Sequence, residues 1–153
     1  MSSTTIIGAN VTANEAVAQF ELGANIEASD GTKYKYVQAS EAITAGDFVT
    51  ISSAGLATKV RTTAGTQLGL EVGVADTALT SSYHGCVTVE GNATGSVAAN
   101  CAANAKLYTT ATAGVLDDES SGQTLIGQTV AITAVVTAGT TTIRLGKAIF
   151  GDY

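Results

Sequence analysis

The chain has no proline, no tryptophan and one histidine, and only 13% of its 153 residues are charged. An ordinary soluble domain carries roughly 25%. With a single histidine, His84, any catalytic triad or imidazole-based metal cluster has to be built around that residue. Two cysteines, Cys86 and Cys101, are too few for a disulfide framework in a chain this long, and they are expected to be small core residues. Seven basic residues against thirteen acidic ones exclude a protein that binds nucleic acid by neutralising phosphates. The N-terminal Met-Ser-Ser-Thr-Thr-Ile-Ile-Gly shows neither the basic start nor the apolar run of a secretory signal. Residues 120–143 carry no charge, but Gly, Gln and Thr break their apolarity, so a membrane-spanning helix is not expected there.

What is present is 26 Ala, 24 Thr and 17 Gly, with an apolar share of 45% that is enough for a folded core. From residue 34 onward short β-branched runs recur between glycine-containing turns: 34–39, 48–52, 56–60, 68–75, 86–90, 107–109, 128–136, 140–145 and 148–150. Many short strands with regular turn signals predict an all-β domain, a β-sandwich or barrel of antiparallel strands, over residues 24–153. A Ser/Thr-Ala-Gly triplet recurs at 44–46, 53–55, 63–65, 112–114 and 137–139, where glycine can take the positive φ of a tight corner. Two of these corners lie in similar segments, 48–56 and 107–115, which read as one hairpin type used twice. Residues 1–23 read as an N-terminal arm. Thr12 three places before Glu15 has capping-box spacing, with Gly23 as a stop, so a short helix competes with an extended arm.

Searches for chemistry find little. His84 and Cys86 would share a strand face, and Cys101 could add a third ligand, but paired zinc-ligand spacings such as Cys-x2-Cys are missing. Asp117-Asp118-Glu119 lacks the pattern of a calcium loop and reads as a solvated turn. Neither a phosphate-binding glycine loop nor a Gly-x-Ser-x-Gly elbow occurs. No catalytic, cofactor or metal residue is assigned, and an enzyme is not expected. Tyr34, Tyr36, Tyr83 and Tyr108 fall on or beside predicted strands, where packing is the simpler role.

Two stretches carry a resemblance. One is Phe20-Glu21-Leu22-Gly23, then Asp30 through Ser40, which includes Tyr36-Val37-Gln38-Ala39-Ser40, and then Ala42-Ile43-Thr44-Ala45-Gly46-Asp47-Phe48-Val49. The other is Gly73-Val74-Ala75, Tyr83 through Gly91, Ala105 through Thr110, and Gly114. Together they resemble the capsid cement, or head decoration, proteins of tailed bacteriophages. Cys86 departs from the family, standing where a bulky aromatic is common. The resemblance implies a structural virion protein made in the host cytoplasm. It would sit on the outer surface of an icosahedral head and stabilise contacts between major capsid subunits. It further implies a homotrimer, with a dimer as the alternative, and no nucleic-acid or membrane partner. The arm would help engage the shell or a sister subunit through Ile6, Ile7, Val11 and Phe20. The rival expectation is a virion-displayed carbohydrate- or cell-binding module.

Overall fold

A computed structural model describes residues 8–62, 67–120 and 123–151. Ten strands form one sheet: β1 Asn25–Glu27, β2 Lys33–Ala39, β3 Phe48–Ile51, β4 Leu56–Lys59, β5 Glu71–Val74, β6 His84–Val97, β7 Lys106–Thr109, β8 Leu116–Asp117, β9 Leu125–Ala131 and β10 Gly139–Phe150. The pairings close on themselves twice. β2 pairs with β4, β4 with β3, β3 with β5, β5 with β6, and β6 returns to β2. β6 then pairs with β8, β8 with β7, β7 with β9, β9 with β10, and β10 returns to β6. The architecture is therefore two small barrel-like circuits that share β6.

The two circuits have the same plan. Each contains one parallel pairing, β2·β4 in the first and β6·β8 in the second, and antiparallel pairings elsewhere. The twin hairpin segments of the sequence are β3–β4 and β7–β8, and Gly55 and Gly114 take φ of 77° and 79° at matching corners. Gly46 also has positive φ (93°), whereas Gly139 does not and simply begins β10. The triplet at 63–65 lies outside the described residues.

Three points differ from the sequence expectation. Two pairings are parallel, not antiparallel: each joins a hairpin to a separate strand of its own circuit, which a local pattern of alternation does not report. β6 and β10 are long strands of 14 and 12 residues; in β10 the Gly146-Lys147 pair is a bulge within the strand, not its end. The arm is extended. Asn10 Oδ1 accepts both the N–H and the hydroxyl of Thr12, closing an Asx turn that competes with a helix start. Glu15 then spends its backbone on an antiparallel bridge to His84, at 2.9 and 2.8 Å.

Each circuit has its own apolar filling. Val37, Ala39, Val49, Ile51, Ala57, Val87 and Val89 fill the first. Ala93, Val97, Leu107, Leu116, Ile126, Ile143 and Leu145 fill the second, together with Phe48, Val72 and Val74 from the first circuit's strands. β3 is thus buried on both faces, Val49 and Ile51 to one side and Phe48 to the other. The backbone bonds Phe48 N–H to Gly114 O, Gly114 N–H to Val60 O and Val60 N–H to Phe48 O, all of 2.9–3.0 Å, lock the circuits together. Buried threonines are accommodated by hydrogen bonds, such as Thr141 Oγ1 to Thr133 O at 2.8 Å, and among the described residues no buried side-chain N or O lacks a partner.

Gly95 makes this joint possible. A Cβ there would stand 2.6 Å from the Phe48 ring and 2.8 Å from Ile143, inside atoms that cannot swing away. Gly95→Ala is expected to lower unfolding free energy by about 1–3 kcal/mol in urea titrations. Gly139→Ala, with open space and no positive φ, should stay within about 0.5 kcal/mol.

Candidate functional site

The arm residues with expected contact roles are placed as follows. Ile6 and Ile7 lie outside the described residues. Val11 and Phe20 pack on the chain's own first circuit, against a cluster of Ile26, Tyr36 and Cys86. Phe20 meets Tyr36 edge-on at 5.2 Å, and the Tyr36 hydroxyl accepts the Gln19 N–H at 3.0 Å. Residues 9–24 are therefore a strap laid over the outer face of β2 and β6, and its two apolar anchors are spent within the molecule.

His84 and Cys86 do share that face, under the strap. The His84 ring lies parallel to Tyr36 at 6.3 Å, with Nδ1 3.2 Å from the Glu15 carbonyl. Cys101 is not with them; it is buried in the second circuit. There its sulfur and the carboxylates of Asp117 and Asp118 all lie within 4.8 Å of one another. The parallel pairing of Val97 with Leu116 brings them together, a contact between distant segments that no spacing in the sequence announces. Two carboxylates and a thiol are metal-ligating types, but Asp118 Oδ2 accepts the Ala102 N–H at 3.0 Å and Asp117 Oδ1 the Asp118 N–H at 2.8 Å. Burial, followed by the neighbouring acids, raises the Asp117 carboxyl above the ordinary range. Burial also lifts both thiols to about 11, so they are protonated at neutral pH. Both cysteines are free and buried.

The Thr44–Asp47 corner is structural. Asp47 Oδ2 accepts the Thr44 N–H at 2.8 Å and lies 3.2 Å from Lys59 Nζ, while its carboxyl group occupies the space beside Gly114. This acid fixes the turn and touches both circuits.

Charge is unevenly distributed. Lys33 pairs with Glu90, Lys35 with Glu71, Lys59 with Asp47 and Arg61 with Glu41. The three remaining cations, Lys106, Arg144 and Lys147, are exposed and have no ion pair among the described residues. Residues 91–105 and 123–143 carry no charge at all. The segments after β6 and before β10 meet at one end of the second circuit through a Val135 N–H to Cys101 O bond of 3.0 Å, where the charges are the half-buried carboxylates of Asp117 and Asp118 beside Cys101; β9 runs from there to Phe150. Val136 at this end is 83% exposed. Tyr36 is buried and Tyr34, Tyr83 and Tyr108 are half-buried. No helix among the described residues is long and apolar enough to cross a membrane.

No protein-family model matches the chain, and no curated protein is similar to it.

Two measurements probe these assignments. Asp47→Ala strands Lys59 and removes the turn's acceptor, and should cost about 3 kcal/mol in denaturant unfolding. Because folding raises both thiols, the stability they contribute is complete below about pH 9 and lost as pH rises toward 11. Thiol labelling with a disulfide reagent at pH 8 should accordingly be slow in the native protein and fast in urea.

Proposed function

We propose that this chain is a structural capsid cement protein, bound to the outer surface of an icosahedral phage head and bridging neighbouring major capsid subunits. The observation that carries the reading is the charge-poor end of the second circuit, with its exposed Ala, Thr, Asn and Val136; the acids there, Asp117 and Asp118, are half-buried beside Cys101 and the Ala102 N–H. The cores of protein interfaces are depleted of charge, and a surface of this kind suits packing into a repeated lattice. The resemblance in the Tyr36–Ser40 and Thr44–Val49 stretches supplies the identity of the lattice; these residues form β2, the Asp47 corner and the start of β3. Many weak contacts repeated over a head sum to firm attachment. In this reading the protein is a homotrimer on three-fold positions, which closed cyclic symmetry would match, with a dimer on two-fold positions as the other arrangement.

The carbohydrate-binding alternative needs exposed rings for sugars to stack on. Its discriminating observation is glycan-array binding by the isolated protein.

The arm's share in attachment falls to its first residues, since Val11 and Phe20 are held by their own barrel. The test is binding of purified protein to heads stripped of it. Co-sedimentation at a fixed ratio to the major capsid protein is expected; absence of binding overturns the reading. Val136→Asp should reduce occupancy at least tenfold at limiting protein, because it buries a carboxylate at the contact. Ile6→Ser with Ile7→Ser should reduce it as well.

A further inference from the structure

Of the three cations without an ion pair among the described residues, Lys106 and Arg144 stand together on the outer surface where β7, β9 and β10 lie side by side, whereas Lys147 lines a separate groove with Lys33, Lys35, Glu71 and Glu90. Lys106 on β7 and Arg144 on β10 are both in register with Val130 on β9. Residues directly opposite one another in neighbouring strands project to the same side, so the two cations flank Val130 on one face. Their backbones are about 10 Å apart, two strand spacings. Between them runs an open groove of about 400 Å³ whose lining includes Leu125, Gly127, Gln128 and Gly146 and, among the described residues, no carboxylate. The floor is irregular: the β9·β10 register shifts between Leu145 and Ile149, and Gln128 and Lys147 both have φ of 62°. Lys147 follows directly on the same strand.

This arrangement is unusual within the molecule. The chain has a net charge of -6, and the four other cations are neutralised by an acid 2.6–3.3 Å away. Among the described residues Lys106 and Arg144 have no such partner, and they stand beside a groove with apolar walls. A ligand that meets both has to lie between backbones about 10 Å apart. An extended polypeptide can do so, because its side chains project to one side every second residue, at about 6.5–7 Å, and long Lys and Arg stems close the remaining distance.

We infer that the β7–β9–β10 groove is a docking site for an extended acidic segment of a partner protein, whose carboxylates pair with Lys106 and Arg144 while its backbone lies over Val130. Charge complementarity selects the occupant: the groove offers cations, a glycine-lined floor and apolar walls, and among the described residues its lining holds no aromatic ring on which bases or sugars would stack. The inference stands independently of the capsid reading. If that reading holds, the segment belongs to a neighbouring subunit of the head.

The test is a titration of the isotope-labelled full chain, followed by amide NMR, with a synthetic ten-residue peptide alternating Asp and Thr. The expected result is a set of shifts confined to Lys106, residues 125–130 and residues 144–147, weakening as salt is raised. Lys106→Gln with Arg144→Gln should weaken binding about tenfold or more. Both side chains are exposed, and the same spectra show whether the variant is folded. Lys33→Gln, at a cation already paired with Glu90, should bind as the parent does. Absence of shifts at millimolar peptide, shifts elsewhere, or equal binding by the double variant overturns the inference. So does equal or tighter binding at these residues by inorganic phosphate, a heparin hexasaccharide or oligo-dT, since each would make the groove a general anion site. Head binding is scored separately, so peptide binding without head binding defeats the capsid reading alone, and the reverse defeats only the groove.

Discussion

Strand β6 has to complete two circuits at once, and the rest of the molecule is arranged around that requirement. Its first half, with Val87 and Val89, closes the first circuit; its second half, with Ala93, Gly95 and Val97, closes the second. A strand that serves two cores needs small residues where the cores approach each other. The Phe48 ring stands where any side chain on Gly95 would be. The abundance of alanine and glycine, which looks bland in the composition, is in part the volume constraint of this shared wall.

Much of the fold was legible. The runs at 34–39, 48–52, 56–60 and 107–109 coincide with β2, β3, β4 and β7 to within a residue, because β-branched side chains and glycine corners are local signals. β1 and β8, with three and two residues, are too short to show a period. Helix spacing misled at Thr12 because Asn10 offers its neighbour a nearer acceptor. The twin hairpin was visible, yet the larger identity of plan was not: it resides in pairings between β2 and β4 and between β6 and β8, where topology is matched and sequence is not.

The candidate sites were less legible than the strands. Cys101 was grouped with His84 and Cys86 by residue type, whereas the parallel pairing of Val97 and Leu116 takes it to Asp117 and Asp118. Val11 and Phe20 were sound as apolar anchors, but the surface they anchor to is their own. The unpaired state of Lys106 and Arg144 could not be read from sequence, since it depends on which cations the fold places beside acids. By contrast, the shortage of charge at one end follows from two charge-free stretches that β6 and β10 bring together, although sequence did not show that Asp117 and Asp118 join them there.

Closing each sheet on itself has a consequence for crowding. A protein with so few charges has little electrostatic repulsion to keep copies apart, and unpaired strand edges would invite neighbours to join the ladder. Here the circuits consume their own edges, and β1, three residues long with a glutamate at its end, is paired on one side only. Every strand but β1 is therefore paired on both sides. A charge-poor surface can then stand at one end of the molecule without becoming a template for fibres.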